Sequence, residues 1–368
     1  MSETIAGVGI IGCGVISAAY LKAARLFPQI AIRGLADLDL ERAQARSAEF
    51  GPKALTVPEL LADPAIDIVL NLTTPVAHLP VALQAIAAGK HVYGEKPLAV
   101  STQEARRMLG AAEAAGVRIG CAPDTFLGGG HQSARRLLDD GVIGKPVGGT
   151  AFLLLAGHER WHPNPDFYYA REGGGPMFDM GPYYLTDLVH LLGPVAEVVA
   201  FGTVGRARRT IAKGPRAGSE IAVECTSHVA GLLRFEQGTI VQIATSFEVW
   251  AHKHTPIELY GTEGSLAVPD PNRFGGEVEL CPAGGAWQAM PQTHGYADDN
   301  YRILGLVDMA VAIAQGRPHR ASGALAYHVL EVMEALVGSS EGRGIVPIES
   351  RCARPGPMAA GLQTGEIA

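Results

Sequence analysis

The segment Gly12-Cys13-Gly14-Val15-Ile16-Ser17 places two glycines and a serine between the apolar run Val8 to Ile11 and a helical pattern. The first glycine permits a tight turn, the second lets the backbone approach a pyrophosphate, and a small third residue, here Ser17, keeps the helix close to the sheet. Unpaired N–H groups at the helix start, around Val15 and Ile16, then face the phosphates. Asp37 closes the second apolar run, where a carboxylate can bind both ribose hydroxyls of an adenosine. Leu38 beside it offers no charge to a 2′-phosphate and Asp37 repels one, so these residues predict NAD rather than NADP. Two further stretches, Thr73-Thr74-Pro75-Val76-Ala77-His78 and Gly94-Glu95-Lys96-Pro97, fall at strand ends, the edge where an open parallel sheet binds ligand. Later, His158, Arg160, Trp161, His162, Asn164, Asp166, Phe167 and Tyr168 gather in one loop shortly before Asp179. Donors, acceptors and aromatic faces in that mixture suit a polyhydroxylated ring. His158 and His162 have the spacing of metal ligands, but no further His or carboxylate pattern accompanies them, and no metal is expected.

These residues depend on a scaffold of recurring elements. From Ala6 to Cys121 a short apolar run, a turn and an amphipathic stretch repeat, which is the rhythm of a parallel sheet with crossover helices. Strands are expected at Val8 to Ile11, Ile30 to Ala36, Ile66 to Leu72, His91 to Tyr93 and Val117 to Cys121. Helices are expected near Ile16 to Leu26, Leu40 to Phe50, Leu79 to Ala88 and Thr102 to Ala115, the last punctuated by a Ser101/Glu104 capping box and a Gly116 stop. After Pro123 the rhythm changes: a helix at His131 to Asp140, a strand at Thr150 to Leu155, the aromatic loop, and a helix at Phe178 to Leu192. Val241 to Val249 alternates as an antiparallel strand with one buried face, and Ile221 to Phe235, Ile257 to Tyr260, Ser265 to Val268 and Val278 to Cys281 extend that sheet. Two late helices, Tyr301 to Ala314 and Ala324 to Val337, precede a Pro- and Gly-containing tail from Ser350 that is expected to be loosely held.

Composition narrows the function. The chain has 368 residues, 47% of them hydrophobic, enough for two packed domains. Thirty basic against 37 acidic side chains, a net charge of −7, form no basic stripe for a phosphate backbone, so nucleic acid is excluded as a partner. No apolar run reaches membrane-span length and the start lacks a basic flank, so a soluble cytoplasmic protein is expected. The five cysteines are far apart and lack a CxxC pair, which predicts reduced, buried thiols.

Taken with Gly173-Gly174-Gly175 and Asp179-Met180-Gly181-Pro182-Tyr183, the Gly12 turn and the Glu95-Lys96-Pro97 stretch resemble the Gfo/Idh/MocA oxidoreductase family, by motif from about Val8 to Leu192 and by architecture onward. The resemblance implies an α/β protein: an N-terminal NAD-binding Rossmann domain (1–125), then an α/β substrate-binding and oligomerisation domain (126–368) with a large, mainly antiparallel open sheet. A homodimer or homotetramer through that sheet is implied. So is a dinucleotide site built from Gly12, Gly14, Val15, Ile16, Asp37, Thr73, Thr74, Pro75, His78, Glu95 and Lys96.

The matching lysine of the family, Lys96, reaches the substrate hydroxyl and the nicotinamide ribose, with Glu95 holding it charged and oriented. An ammonium there stabilises the alkoxide that develops as hydride leaves a secondary alcohol. Many members carry Asp-x-x-x-His on a helix, where i and i+4 share a face. Here Tyr183 takes the His position, as in the branch with glucose-fructose oxidoreductase, xylose dehydrogenase and dihydrodiol dehydrogenase. Tyr183 is then the general acid/base, Asp179 binds a neighbouring hydroxyl, and Trp161 and His162 complete the substrate contacts; Tyr184 is the rival for the proton. Ala122-Pro123-Asp124-Thr125 departs from the Gln or Asn and Arg of many members, so that substrate contact is not carried over.

The leading expectation is NAD-dependent hydride transfer to or from a secondary alcohol of a sugar, glycoside, inositol or similar cyclic polyol. The alternatives are an enzyme that keeps and recycles its NAD while cleaving a glycoside by oxidation and elimination, and a non-catalytic NAD- or sugar-sensing regulator.

Overall fold

The computed structural model describes residues 4–368. They form two compact units: residues 4–129, 293–327 and 355–368 make the first, and 130–292 and 328–354 the second. A single cut of the chain therefore does not separate them, because a late helix and the tail belong with the N-terminal sheet.

In the first unit the alternating pattern becomes β1 (Ala6–Ile11), α1 (Ser17–Ala24), β2 (Ile30–Ala36), α2 (Leu40–Phe50), β3 (Lys53–Ala54), α3 (Val57–Ala62), β4 (Ile68–Asn71), α4 (Pro75–Ala87), β5 (His91–Gly94), α5 (Thr102–Ala115) and β6 (Ile119–Cys121). All six strands run parallel in the order β3-β2-β1-β4-β5-β6. The order reverses between β1 and β4, and such a switch point leaves a crevice at the carboxyl ends of the strands. Strands β1 and β4 are buried along their whole length, as expected of a sheet covered on both faces. Ser101 Oγ accepts the Glu104 N–H and Gly116 ends α5 at φ +67°, so that helix has the bounds its punctuation predicts.

The second unit holds α6 (Gly129–Asp139), β7 (Pro146–Leu154), α7 (Pro176–Leu192), β8 (Val195–Thr203), β9 (Arg208–Thr210), β10 (Glu220–Ala222), β11 (His228–Phe235), β12 (Ile240–Ser246), β13 (Ile257–Gly261), β14 (Gly264–Val268), β15 (Glu279–Pro282) and β16 (Gln288–Ala289). Two helices follow, α8 (Leu304–Ala314) against β6 in the first unit and α9 (Gly323–Gly338), and then β17 (Val346–Pro347). The nine-stranded sheet runs β16-β15-β14-β13-β7-β12-β11-β8-β17 and is antiparallel except where β12 pairs parallel with β7. Helix α7 lies against β7, β11 and β12. The register sends Val229, Leu233, Val241 and Ile243 into the core and leaves Phe201, Leu232 and Ile240 exposed on the other face.

Several expectations need correction. The run Ile221 to Phe235 is two strands, β10 and β11, in different sheets, because the chain leaves the hairpin β9–β10 before entering the large sheet. The alternation of β12 stops at Ile243, and Ala244, Thr245 and Ser246 are all buried. Helix α4 begins four residues early, at Pro75, whose missing N–H costs nothing at a first helical position. The tail is not loose: Gln29 Nε2 donates to the Gly365 carbonyl at 2.7 Å, Tyr296 Oη donates to the carbonyls of Glu366 (2.5 Å) and Gln363 (3.1 Å), and Met358 is buried. Cys13, Cys121 and Cys225 are buried free thiols, while Cys281 and Cys352 are only half-buried. Among the described residues no helix is long and apolar enough to cross a membrane.

A buried ion pair ties α6 to α7. His131 is fully enclosed, with Nδ1 donating to Asp187 Oδ2 at 2.9 Å and Nε2 donating to the Arg273 carbonyl at 2.8 Å. Two acceptors on opposite sides of the ring favour the imidazolium. Burial works against that charge, but Asp187 and the two hydrogen bonds more than offset it, and the pKa is raised. A raised folded pKa means that this stabilisation is fully present below about 6.5, the ordinary histidine value, and is lost as pH rises through the folded pKa. We expect the unfolding free energy from urea titrations to fall across that window, no steeper than about 1.4 kcal/mol per pH unit for the one proton. His131→Gln should flatten that slope; an identical slope in the variant would contradict the assignment.

Candidate active site

The crevice at the switch point lies at the carboxyl ends of the strands, flanked by β1 and β4, where an open parallel sheet binds ligand. Gly12 sits at φ +105°, and a Cβ there would lie 2.6 Å from the Leu72 carbonyl carbon and oxygen, so the β1–α1 turn needs glycine to pack on the end of β4. A Cβ on Gly14 would meet nothing within 4 Å, which leaves the open approach a pyrophosphate requires. The α1 N-terminus has no side-chain cap and no acidic residue in its first turn, so no side chain competes there with an anion. Asp37 Oδ2 accepts the Cys13 N–H at 2.7 Å and Oδ1 accepts the Asp39 N–H at 3.1 Å. Those bonds orient the carboxylate and leave lone pairs for two ribose hydroxyls. Leu38 is fully exposed beside it. The residues therefore fit NAD.

This geometry sets a first cofactor test. NAD should bind at least ~10-fold more tightly than NADP, since a 2′-phosphate would meet the Asp37 charge. Asp37→Ala combined with Leu38→Arg should narrow or reverse the preference in isothermal titration; equal affinity of the unaltered protein for both cofactors would refute it.

The next two loops are braced from within. Thr73 donates to Asn71 Oδ1 through N–H (3.2 Å) and Oγ1 (2.6 Å), and Asn71 Nδ2 donates to the His78 carbonyl at 3.1 Å. The buried ring of His78 lies between Pro97 O (2.7 Å) and Thr73 O (3.1 Å), joining the loop after β4 to the one after β5. Burial pulls its pKa down, against both carbonyls. Thr74 and Pro75 are the N-cap and first residue of α4. Glu95 accepts from Tyr20 Oη at 2.7 Å and from the Lys96 backbone N–H at 2.9 Å, so this carboxylate is held by α1 and by the start of its own loop.

In the second unit Asp179 occupies the first turn of α7, with Tyr183 one turn later on the same helix. Asp179 Oδ2 lies 2.7 Å from Nε2 of His158, and His158 Nδ1 accepts the indole N–H of Trp161 at 3.1 Å. Tyr168 and Phe247 pack on the imidazole at centroid distances of 4.2 and 4.8 Å. Trp161 and His162 meet edge to face at 5.3 Å, and Trp161 remains 54% exposed, an aromatic surface suited to the C–H face of a sugar. Both tyrosines are buried on α7; the Tyr184 phenol pKa is raised, first by burial and then by Asp270 and Asp187, which disfavours it as a proton donor or acceptor near neutral pH.

Several working residues escape a sequence reading. Tyr20 looks like a core aromatic until its hydroxyl is seen on Glu95. Arg46 is an ordinary α2 residue, yet its guanidinium reaches Ser17 Oγ (3.1 Å) and the Gly14 carbonyl (3.3 Å), which brings a cation to the phosphate turn. Asp124 is buried and its Oδ2 accepts the N–H groups of Ile303 and Gly305, both at 3.0 Å, at the start of α8. Burial raises its pKa to about 6 against those bonds. This carboxylate organises the backbone of α8, consistent with the departure from the family pattern at 122–125.

A family model described as "Oxidoreductase family, NAD-binding Rossmann fold" matches residues 6–122, and the "GFO/IDH/MocA C-terminal domain" matches residues 131–267. The chain is similar to 1,5-anhydro-D-fructose reductase of Ensifer adhaerens, 30% identical over 266 residues that cover 70% of this chain and 74% of that one. It is also similar to D-xylose dehydrogenase of Paenarthrobacter nicotinovorans, 25% identical with 78% of each chain covered. An NAD binding oxidoreductase from Klebsiella pneumoniae superposes with a TM-score of 0.82 at 26% identity, covering 93% of this chain and 98% of that one. Fold and motifs together define an oxidoreductase with an NAD-binding Rossmann domain. The chain belongs to the Gfo/Idh/MocA family.

Proposed function

We propose that the protein is an NAD-dependent dehydrogenase that moves hydride between NAD and a secondary alcohol of a sugar, glycoside, inositol or similar cyclic polyol. The observation that carries this reading is the placement of Lys96 at the carboxyl edge of the NAD-binding sheet, in a loop whose Glu95 is fixed by Tyr20 and by the Lys96 N–H itself. An ammonium there serves a developing alkoxide. The sugar substrates named for the relatives from Ensifer and Paenarthrobacter, and the aromatic, hydroxyl-binding mixture around Asp179, support a cyclic polyol.

Bound NAD supplies the hydride acceptor. Lys96 stabilises the charge left on the alcohol oxygen, Tyr183 takes the hydroxyl proton, and Asp179 accepts a neighbouring hydroxyl and fixes the ring. Trp161 and His162 form the wall of the substrate site. The first unit then holds the cofactor, and the second holds the substrate and the subunit contacts. The exposed Phe201, Leu232 and Ile240 on the open face of the large sheet support a homodimer or homotetramer through that face. The reading is tested by following NADH absorbance with a panel of sugars, glycosides and inositols. NADH should form with at least one of them; a panel without a single turnover would refute it.

A further inference from the structure

His158 stands out because both ring nitrogens are committed. An indole N–H can only donate, so the 3.1 Å bond from Trp161 leaves Nδ1 as the acceptor and places the proton of the neutral ring on Nε2. That nitrogen lies 2.7 Å from Asp179 Oδ2, and both side chains are largely shielded, at 11% and 14% exposure. The loop around the ring is pinned. The His158 backbone N–H donates to Tyr169 Oη at 3.0 Å, and Tyr169 Oη donates to Glu159 Oε2. Glu159 Oε1 takes Arg209 at 2.9 Å, and Arg209 also donates to the Phe247 carbonyl and to Glu248, both at 2.7 Å. Nothing in the spacing of His158 and Asp179 along the chain announces this pair.

We propose that His158 is a positioning residue for the substrate: with its tautomer set by Trp161 at one nitrogen and Asp179 at the other, it orients the Asp179 carboxylate toward the substrate hydroxyl. Its two nitrogens are spoken for, so it does not itself exchange a proton with substrate. The inference rests on the reading of Asp179 as the acceptor of a substrate hydroxyl. A carboxylate whose plane is set by a fixed N–H binds that hydroxyl with less loss of side-chain freedom, as outer partners do for metal ligands.

The test compares His158→Leu, which keeps bulk and deletes the donor, with His158→Gln, whose amide can still donate to Asp179. His158→Leu should lose ~10- to 100-fold in kcat/KM, chiefly through KM, with NAD affinity unchanged, and His158→Gln should recover most of that. Added to Asp179→Asn, His158→Leu should cause little further loss, because the two act as one unit. Retention of kcat/KM within about 2-fold in His158→Leu, equal impairment of the two His158 variants, or losses that multiply in the double variant would overturn the proposal. A readout without turnover keeps it separate from the functional reading. Imidazole nitrogen NMR of the unaltered protein should show His158 as the Nε2–H form, the one that both partners favour. An Nδ1–H ring overturns the proposal even if no polyol in the panel is oxidised.

Discussion

Lys96→Met should lower turnover by at least ~10²-fold while leaving the fold and NAD affinity nearly unchanged. Methionine keeps an unbranched apolar stem and deletes only the ammonium. The bond by which the loop holds Glu95 comes from the backbone N–H of residue 96, so it survives the substitution, as does the contact of Tyr20 with Glu95. The braces of the neighbouring loop through Asn71 and His78 are equally independent of the lysine side chain. The loss therefore falls on the barrier, at roughly 3 kcal/mol or more. Steady-state rates at saturating NAD, with the NAD dissociation constant measured by titration, separate the two. Near-normal turnover in the variant would refute the role given to Lys96.

Tyr183→Phe should cost ~10² to 10⁴ in rate, roughly 3 to 5 kcal/mol of barrier, with little change in binding. The ring is buried on α7, and phenylalanine keeps that packing. Asp179→Asn should behave differently. An amide still makes one of the hydrogen bonds, so KM should rise with a smaller loss of rate. Tyr184→Phe is the internal control, since burial together with Asp270 and Asp187 raises that phenol's pKa and makes it a poor acid/base. If Tyr183→Phe stays active while Tyr184→Phe or Asp179→Asn abolishes hydride transfer, the proton belongs to that residue instead.

What could be read from the chain alone was local. The bounds of β2, α2 and α5 follow from apolar runs and punctuation within a few residues of each end. The strand β3 is two residues long and gives no periodic signal, and α3 is missing from the sequence expectations although its signal is present, a complete capping box of Thr56 and Glu59 with Pro58 at the helix start. The candidate site divides in the same way. Gly12, Gly14, Asp37 and the Glu95-Lys96-Pro97 stretch announce themselves by type and by position after strands. Tyr20 on Glu95, Arg46 on Gly14, Asp124 beneath α8 and His158 on Asp179 are pairings between distant positions, and no local spacing encodes them. The tail misled for the same reason. Its Pro and Gly content describes a chain that forms no helix, whereas its anchoring depends on Gln29 and Tyr296, far away in sequence.

The central claim, hydride transfer from a secondary alcohol carbon to NAD, is tested most directly with a polyol that the enzyme turns over, deuterated at its carbinol carbons. Mass spectrometry of the reduced cofactor released during turnover should show one deuterium gained per NADH, and Lys96→Met should form it at least ~10²-fold more slowly. Unlabelled NADH would contradict the account. So would deuterium retained in a cleaved sugar product with no free NADH formed, the result for an enzyme that keeps and recycles its NAD.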